Sequence, residues 1–320
     1  MEASLPNELR GVITKSLSQL LVDLFHLIDR QTLHKSVRAN VGALSPLSFY
    51  LSFLARSPVS RAFEQHDAAE FLHILLDRLD SELEESSNKS IISKTFQGSI
   101  HSSVRCLKCA VSFDETDSPF TELQLDVPQS NIYAEFFVNR ETGEGRWVVG
   151  APDVMDCMEH TLTQTLSGTM CSSCGSGRME RLSFLSSVPQ ILVLNLHPAS
   201  ESGVKQGESH RVEINDRIDI GPISVREGGE YDLVGVVVHN GKRASSGHYS
   251  CYSKRSSGWD YFNDSQTRRF ETTSDVLMSI SSQHKHAQPS LLFYEWSGPG
   301  RSKLPLYEIL PLGSHELSSS

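Results

Sequence analysis

No cysteine precedes Cys106 in this chain of 320 residues, so its first third offers no thiol for chemistry or cross-linking. No internal repeat is visible, which excludes solenoid architectures. Without coiled-coil heptads, nothing in the pattern dictates an oligomer. A long apolar run is also missing. The most apolar early stretch, "LSQLLVDLFHLI", is interrupted by Asp23 and His26 and is therefore no membrane span. Basic charge is in deficit: 29 Lys and Arg face 39 Asp and Glu, a net charge of −10. That balance argues against a nucleic-acid partner and suits a basic one. No apolar, basic-flanked leader opens the chain. The six cysteines are expected to be reduced thiols of a cytoplasmic or nuclear protein and not a disulfide framework.

What is present begins with helices. Leu17, Leu20, Leu21, Leu24 and Ile28 recur at helical spacing. A second helix is expected at "SPLSFYLSFLA", with Ser45 as N-cap and Pro46 in the first position. A third begins near "EQHDAAEFLHILLDRLDSEL", where Ala68, Phe71, Leu72, Leu75, Leu76, Leu79 and Leu83 form an apolar face that reads as core packing. From about residue 95 the pattern changes to strands: "FTELQLDV", "QILVLNL", "YDLVGVVV", "GHYSCYS", "WDYFN" and "SLLFYEW", separated by Gly, Ser and Pro clusters. Residues 128–152 and 198–211 read as insertions and the last residues as a flexible tail. The fold class is α+β, helices first and an antiparallel sheet after.

Two C-x-x-C units stand out, Cys106 with Cys109 and Cys171 with Cys174. Four thiolates from two such units can close a tetrahedral structural zinc site. The 61 residues between Cys109 and Cys171 exceed single-finger spacing, so the units must meet in the fold. The competing readings are two unrelated buried pairs or one redox pair. The latter needs a strand-to-helix junction that neither unit has. Cys157, in "DVMDCMEHTL", sits on a short helical pattern and reads as core.

The stretch "SSGHYSCYSKRSSGWDYFND" carries the second signal. As a strand, "GHYSCYS" puts His248, Ser250 and Tyr252 on one face and Tyr249, Cys251 and Ser253 on the other. "KRSSG" suits a hairpin turn, and the next strand aligns Trp259, Tyr261 and Asn263. Pairing the two strands can bring Asn263 against His248. An Asn oxygen accepting from one imidazole N–H leaves the other nitrogen as a base, the logic of a Cys-His-Asn triad. Asp264 can serve in the same place or orient the pair. Cys251 points to the opposite face, which makes it a poor nucleophile and a small buried hydrophobe instead. A surface histidine beside a hairpin is the plain alternative.

Taken together, "QHDAAEFLHILLDRL", "FQGSIHSSVRCLKC", "MCSSCGSG", "VPQILVLNL", "YDLVGVVVHNGKRASSGHYSCYSK" with "GWDYFND", and "PSLLFYEW" resemble, in order, the boxes of the ubiquitin-specific protease family of cysteine deubiquitinases. The resemblance covers about residues 15–296. It implies a papain-like hand: a helical thumb (1–92), fingers bearing structural zinc on Cys106, Cys109, Cys171 and Cys174 (93–190), and a palm with the histidine box (191–297), followed by a tail (298–320). It implies His248 as base, Asn263 as third triad member with Asp264 beside it, and ubiquitin or a ubiquitinated protein as partner. Asp67 matches a residue that meets the basic ubiquitin tail, and Gly247 and Tyr249 match the lining of its channel. Two departures are smaller: Ala69 stands where many relatives have Gln, and "NLHP" replaces an Arg-Phe ending. The large departure is the family's Gly-Asn-x-Cys-Tyr box, with its nucleophile and oxyanion-stabilising Asn, which has no counterpart here. The motif order suggests that the chain starts just downstream of it. Three readings follow: a deubiquitinase inactive as written unless extended upstream, a ubiquitin-binding pseudoenzyme or scaffold, and a zinc-stabilised interaction domain unrelated to ubiquitin, which the motif order disfavours.

Overall fold

The computed structural model describes residues 16–35, 45–56, 66–86, 90–128, 134–138, 145–149, 151–197, 212–225, 228–243, 246–283 and 287–298. The described residues fall into two compact units: those within 1–66 and 70–94, and Asp67–Ala69 together with those from Thr95 onward. No helix among them is long and apolar enough to cross a membrane.

The first unit is helical. α1 spans Leu17–Lys35, α2 Leu47–Arg56, α3 Ala68–Ser86 and α4 Ile91–Phe96. The apolar stripes expected from the sequence supply its core: Leu17, Leu20, Phe49, Phe53, Leu76, Leu79 and Leu83 are all buried. Phe71 lies at the margin of that face, 36% exposed, with its ring 4.8 Å from Phe53. α2 starts one residue later than expected. The Pro46 carbonyl accepts from the Tyr50 amide at 2.9 Å, and Ser45 Oγ accepts only from Leu47, at 3.4 Å. Two acidic side chains tie the helices together. Glu82, on α3, accepts from the Leu17 and Ser18 amides at 3.0 Å each, satisfying orphan donors at the start of α1. Asp80 accepts from Ser90, whose own hydroxyl caps α4 by accepting from Ile92 at 3.0 Å.

The second unit is built on antiparallel sheets. The larger has eight strands: β13 (Gln266–Phe270), β12 (Gly258–Asn263), β11 (Ser246–Arg255), β10 (Glu230–Arg243), β14 (Ala287–Trp296), β8 (Ile191–His197) and β3 (Leu123–Asp126) in that order, with β9 (Arg217–Asp219) also on β10. Only β3 and β8 run parallel among these pairs. β8 reads "ILVLNLH" without alternation because it is covered on both faces, with Leu192, Val193 and Leu194 fully buried. α5 (Val154–Leu162) and α6 (Thr273–Ser281) pack on the unit, each opened by a capping box, Asp153 with Asp156 and Thr272 with Asp275. The smaller sheet runs β2 (Ser112–Phe120), β1 (Gly98–Cys106), β7 (Met179–Ser187), β6 (Thr163–Leu166). The first expected insertion contains a separate hairpin, β4 (Ala134–Val138) with β5 (Gly145–Val149). The second insertion and the tail from residue 299 lie outside the described residues.

Glu82→Ala is expected to destabilise the helical unit by about 1–2 kcal/mol, the range for losing a helix-terminal acceptor. Hydrogen exchange at the Leu17 and Ser18 amides should accelerate in that variant. Unchanged exchange there would show that solvent satisfies these donors as well as the carboxylate does.

Candidate active site and thiol quartet

His248 stands on β11, with Asn240 of β10 directly across from it. On the other side, β11 and β12 pair from Arg255–Gly258 up to Cys251–Phe262. Continuing that register sets Asn263 opposite Ser250, diagonal to His248 on the same face, within reach of a side-chain contact. The contact is made: His248 Nε2 lies 2.5 Å from Asn263 Oδ1. Immediately after Asn263 a two-residue turn leads into β13, and Asp264 takes φ 51°, a left-handed conformation that Asp tolerates better than most residues. That turn brings Asp264 Oδ2 to 3.7 Å from the same Nε2, from an exposed position. Because a carbonyl oxygen only accepts, Nε2 carries the proton and Nδ1 presents its lone pair. Nδ1 has no partner among the described residues, and the imidazole is 47% exposed. Such an arrangement can act as a base held by an orienting group.

All six thiols lie among the described residues. Cys251 is three residues along β11 and faces the other way, across from Val237 and Phe262. Desolvation pushes its thiol up, against the pull of Arg255. Cys157 is fully buried on α5, and its thiol is raised to about 12 by desolvation and then by Asp156 and Asp153. The other four form the quartet below.

Asp67 and Tyr249 also meet, and Gly247 lies two residues before Tyr249 on β11. The Tyr249 hydroxyl donates to Asp67 Oδ2 and accepts from the Ala68 amide, both at 3.4 Å. Asp67 Oδ1 accepts from the Ala69 amide at 2.8 Å, at the start of α3. Burial, then the Asp67 charge, raises the Tyr249 hydroxyl to about 12. Gly247 must be glycine: a Cβ there would lie 2.4 Å from His239 Nε2 and 2.7 Å from the Asn240 carbonyl. His239 went unremarked in the sequence reading. It is 3% exposed, directly across from Tyr249, with ring centroids 4.7 Å apart. The available signal was a histidine interrupting the apolar run "LVGVVVHN".

Cys106 ends β1 across from Met179 of β7, so sheet pairing brings the two C-x-x-C units together. Each unit folds as the same knuckle. The amide of the residue just after each unit returns to the first cysteine's carbonyl, Ala110 to Cys106 and Gly175 to Cys171, at 2.8 Å in both. Ala110 and Gly175 take positive φ, 60° and 67°, to make that turn. The sulfurs cross-pair, Cys106 with Cys174 and Cys109 with Cys171, at 3.6 Å, and all four lie within 4.8 Å of one another. Backbone amides, that of Cys109 first, hold the Cys106 thiol near 6. Cys174 is pushed up to about 12: the Ser176 amide lowers it, but desolvation and hydrogen bonds to the other three cysteines outweigh that. Four thiols this close cannot all ionise without a cation among them, and the donor set fits a tetrahedral metal ion. A strong chelator, or Cys171→Ser, is expected to lower the melting temperature by on the order of 10 °C, since ligand binding free energy becomes folding free energy. Differential scanning fluorimetry with metal analysis checks this; unchanged melting in both cases would mean that the thiols pack without metal.

Comparison with known proteins now bears on this geometry. Residues 5–294 match the family described as ubiquitin carboxyl-terminal hydrolase. Human ubiquitin carboxyl-terminal hydrolase 3 is 28% identical over 278 residues, 74% of this chain and 51% of that protein. Ubiquitin carboxyl-terminal hydrolase 44-A of Xenopus laevis is 28% identical over 256 residues, 70% of this chain and 35% of that protein. The chain thus spans about a third to a half of these relatives' length. Among solved structures, the SAGA DUB module of Ubp8, Sgf11, Sus1 and Sgf73 bound to monoubiquitin superposes with a TM-score of 0.60 at 18% identity, over 90% of this chain and 67% of that one. At that identity the likeness is one of fold, and it agrees with the α+β architecture described above. With the match covering all but the ends, the chain belongs to the ubiquitin carboxyl-terminal hydrolase family.

Proposed function

We propose that this domain recognises ubiquitin through Asp67, Gly247 and Tyr249, and that it carries the base half of a thiol-hydrolase site without a nucleophile of its own. The observation that carries the reading is the 2.5 Å contact of His248 Nε2 with Asn263 Oδ1, with Nδ1 left as the lone-pair nitrogen and no thiol beside it. In thiol-dependent hydrolysis, the base takes the thiol proton as sulfur attacks the carbonyl carbon. It then returns that proton to the departing amine. His248 is suited to both transfers and Asn263 holds its ring, with Asp264 beside it. Without a thiolate the base can only activate water. The missing oxyanion donor costs on the order of 2.7–4 kcal/mol more.

The net charge of −10 complements a basic ubiquitin tail, and Asp67 supplies a local anion. We assign the metal of the quartet as structural zinc, held by Cys106, Cys109, Cys171 and Cys174 with no open position for chemistry. Around these sites we read residues 1–92 as thumb, 93–190 as fingers and 191–297 as palm. Reduced thiols fit a cytoplasmic or nuclear setting.

Titration with isotopically labelled ubiquitin is expected to show weak binding that Asp67→Arg reduces about tenfold, the effect of a reversed charge at the tail. An Asp67→Arg variant that binds as the parent does would remove Asp67 from the site.

A ubiquitin probe with a thiol-reactive C-terminus is expected to leave the chain unlabelled. An adduct that disappears in His248→Ala would show that one of the six thiols reaches the base after all. Appending a segment with a Gly-Asn-x-Cys-Tyr box should create labelling; a folded, extended protein that stays unlabelled would favour the pseudoenzyme reading.

A further inference from the structure

His239 is a buried polar side chain that the site described above does not use. It lies on β10, on the face opposite His248, and three features surround it. Tyr249 is its cross-strand neighbour, with the rings tilted at 42° and 4.7 Å apart. Gly247 comes so close that an added Cβ would stand 2.4 Å from His239 Nε2 and 2.9 Å from its Cε1. Gly241 is the third: a Cβ there would meet His239 Cε1 at 3.0 Å, besides the Ser246 carbonyl at 2.4 Å. The register of β10 and β11 also breaks here, between Asn240 and Arg243, so the ladder itself holds this end of β11 less firmly.

We infer that His239 is a positioning residue: its buried ring seats Gly247 from below, braces the Tyr249 ring from the side, and thereby holds His248, the residue between them, in its place on β11. The inference follows from alternation along the strand. Gly247 and Tyr249 point to the His239 face and His248 to the other, so the backbone on both sides of His248 rests on one imidazole. A smaller side chain at position 239 leaves a cavity under Gly247 and takes the wall away from Tyr249, which then loses its alignment to Asp67 and Ala68. The β10–β11 register break is the kind of irregularity that sheets use to aim a side chain beside a functional site.

The relevance to ubiquitin rests on the function proposed above, but the positioning itself is measurable without ubiquitin. In His239→Ala, NMR of ring-labelled protein is expected to show shifted Tyr249 and His248 ring signals, with the Tyr249 resonance identified by its loss in Tyr249→Phe. Far-UV circular dichroism and metal content should remain those of the parent. If His239→Ala does not fold, His239→Gln replaces it, keeping the reach to Gly247 without the ring. Tyr249 and His248 ring signals at parent positions in the folded variant would overturn the inference. Ubiquitin binding is the separate arm: about a tenfold loss is expected. Shifted ring signals in a protein that binds no ubiquitin in either form would uphold the positioning and reject the binding function instead.

Discussion

Antiparallel pairing of β11 with its two neighbours is the constraint on which the candidate site depends. The β12 register determines that Asn263 falls diagonal to His248 and not one residue off. A one-residue slip would carry the amide to the far face of the sheet. The β10 register sets Asn240 across from His248 and His239 across from Tyr249. Backbone hydrogen bonds thus position groups that are distant in sequence, and the fully buried Tyr252 and Trp259 on the same strands anchor the ladder in the core. Tyr252 is tied further by its hydroxyl to Ser279 and Gln283, so α6 helps to hold the strand that bears the histidine.

The same principle governs the thiol quartet. Neither C-x-x-C unit is a metal site alone. Pairing of β1 with β7 converts a separation of many residues into adjacency, and the two positive-φ knuckles then aim two sulfurs each at a common centre. The pair is small: its associated core comprises Val104, Cys106, Cys171 and Met179, packed against Phe113 and Leu166. A sheet end with so little apolar burial needs another source of stability, and a bound ion is the kind that four convergent thiols supply.

The two regions differ in how they use charge. At the His248 site, an exposed imidazole meets an amide and a carboxylate, so the contact orients more than it stabilises. Within the helical unit, Glu82 and Asp80 sit partly buried on backbone and hydroxyl donors, where a carboxylate contributes to the packing of helix ends.

Much of this was legible in the residues. Period-3.6 stripes announced α1 to α3, and apolar runs bounded by Gly and Ser announced β8, β10, β11, β12 and β14. Those signals are local, set by which side chains must be buried. Parity along "GHYSCYS" was also enough to turn Cys251 away from His248, because alternation is a property of any extended strand. α6 was missed although Thr272 and Asp275 spell a capping box, since only two of its residues, Val276 and Ile280, are buried and its apolar stripe is correspondingly thin. β2 of the small sheet was missed for a different reason: it is exposed along nearly its whole length, so no alternation marks it.

By itself, then, the sequence determined the fold class, the two cysteine pairs, and the histidine and asparagine as a candidate couple, because each depends on residue type and short-range spacing. Only the tertiary structure decided that β1 and β7 bring the four sulfurs within 4.8 Å of one another, that Asp67 reaches Tyr249, and that His239 lies beneath Gly247. The first two are contacts between segments far apart along the chain, and the third turns on the register of one hairpin. Their register is settled by the burial of whole sheet faces, which no single stretch of residues encodes.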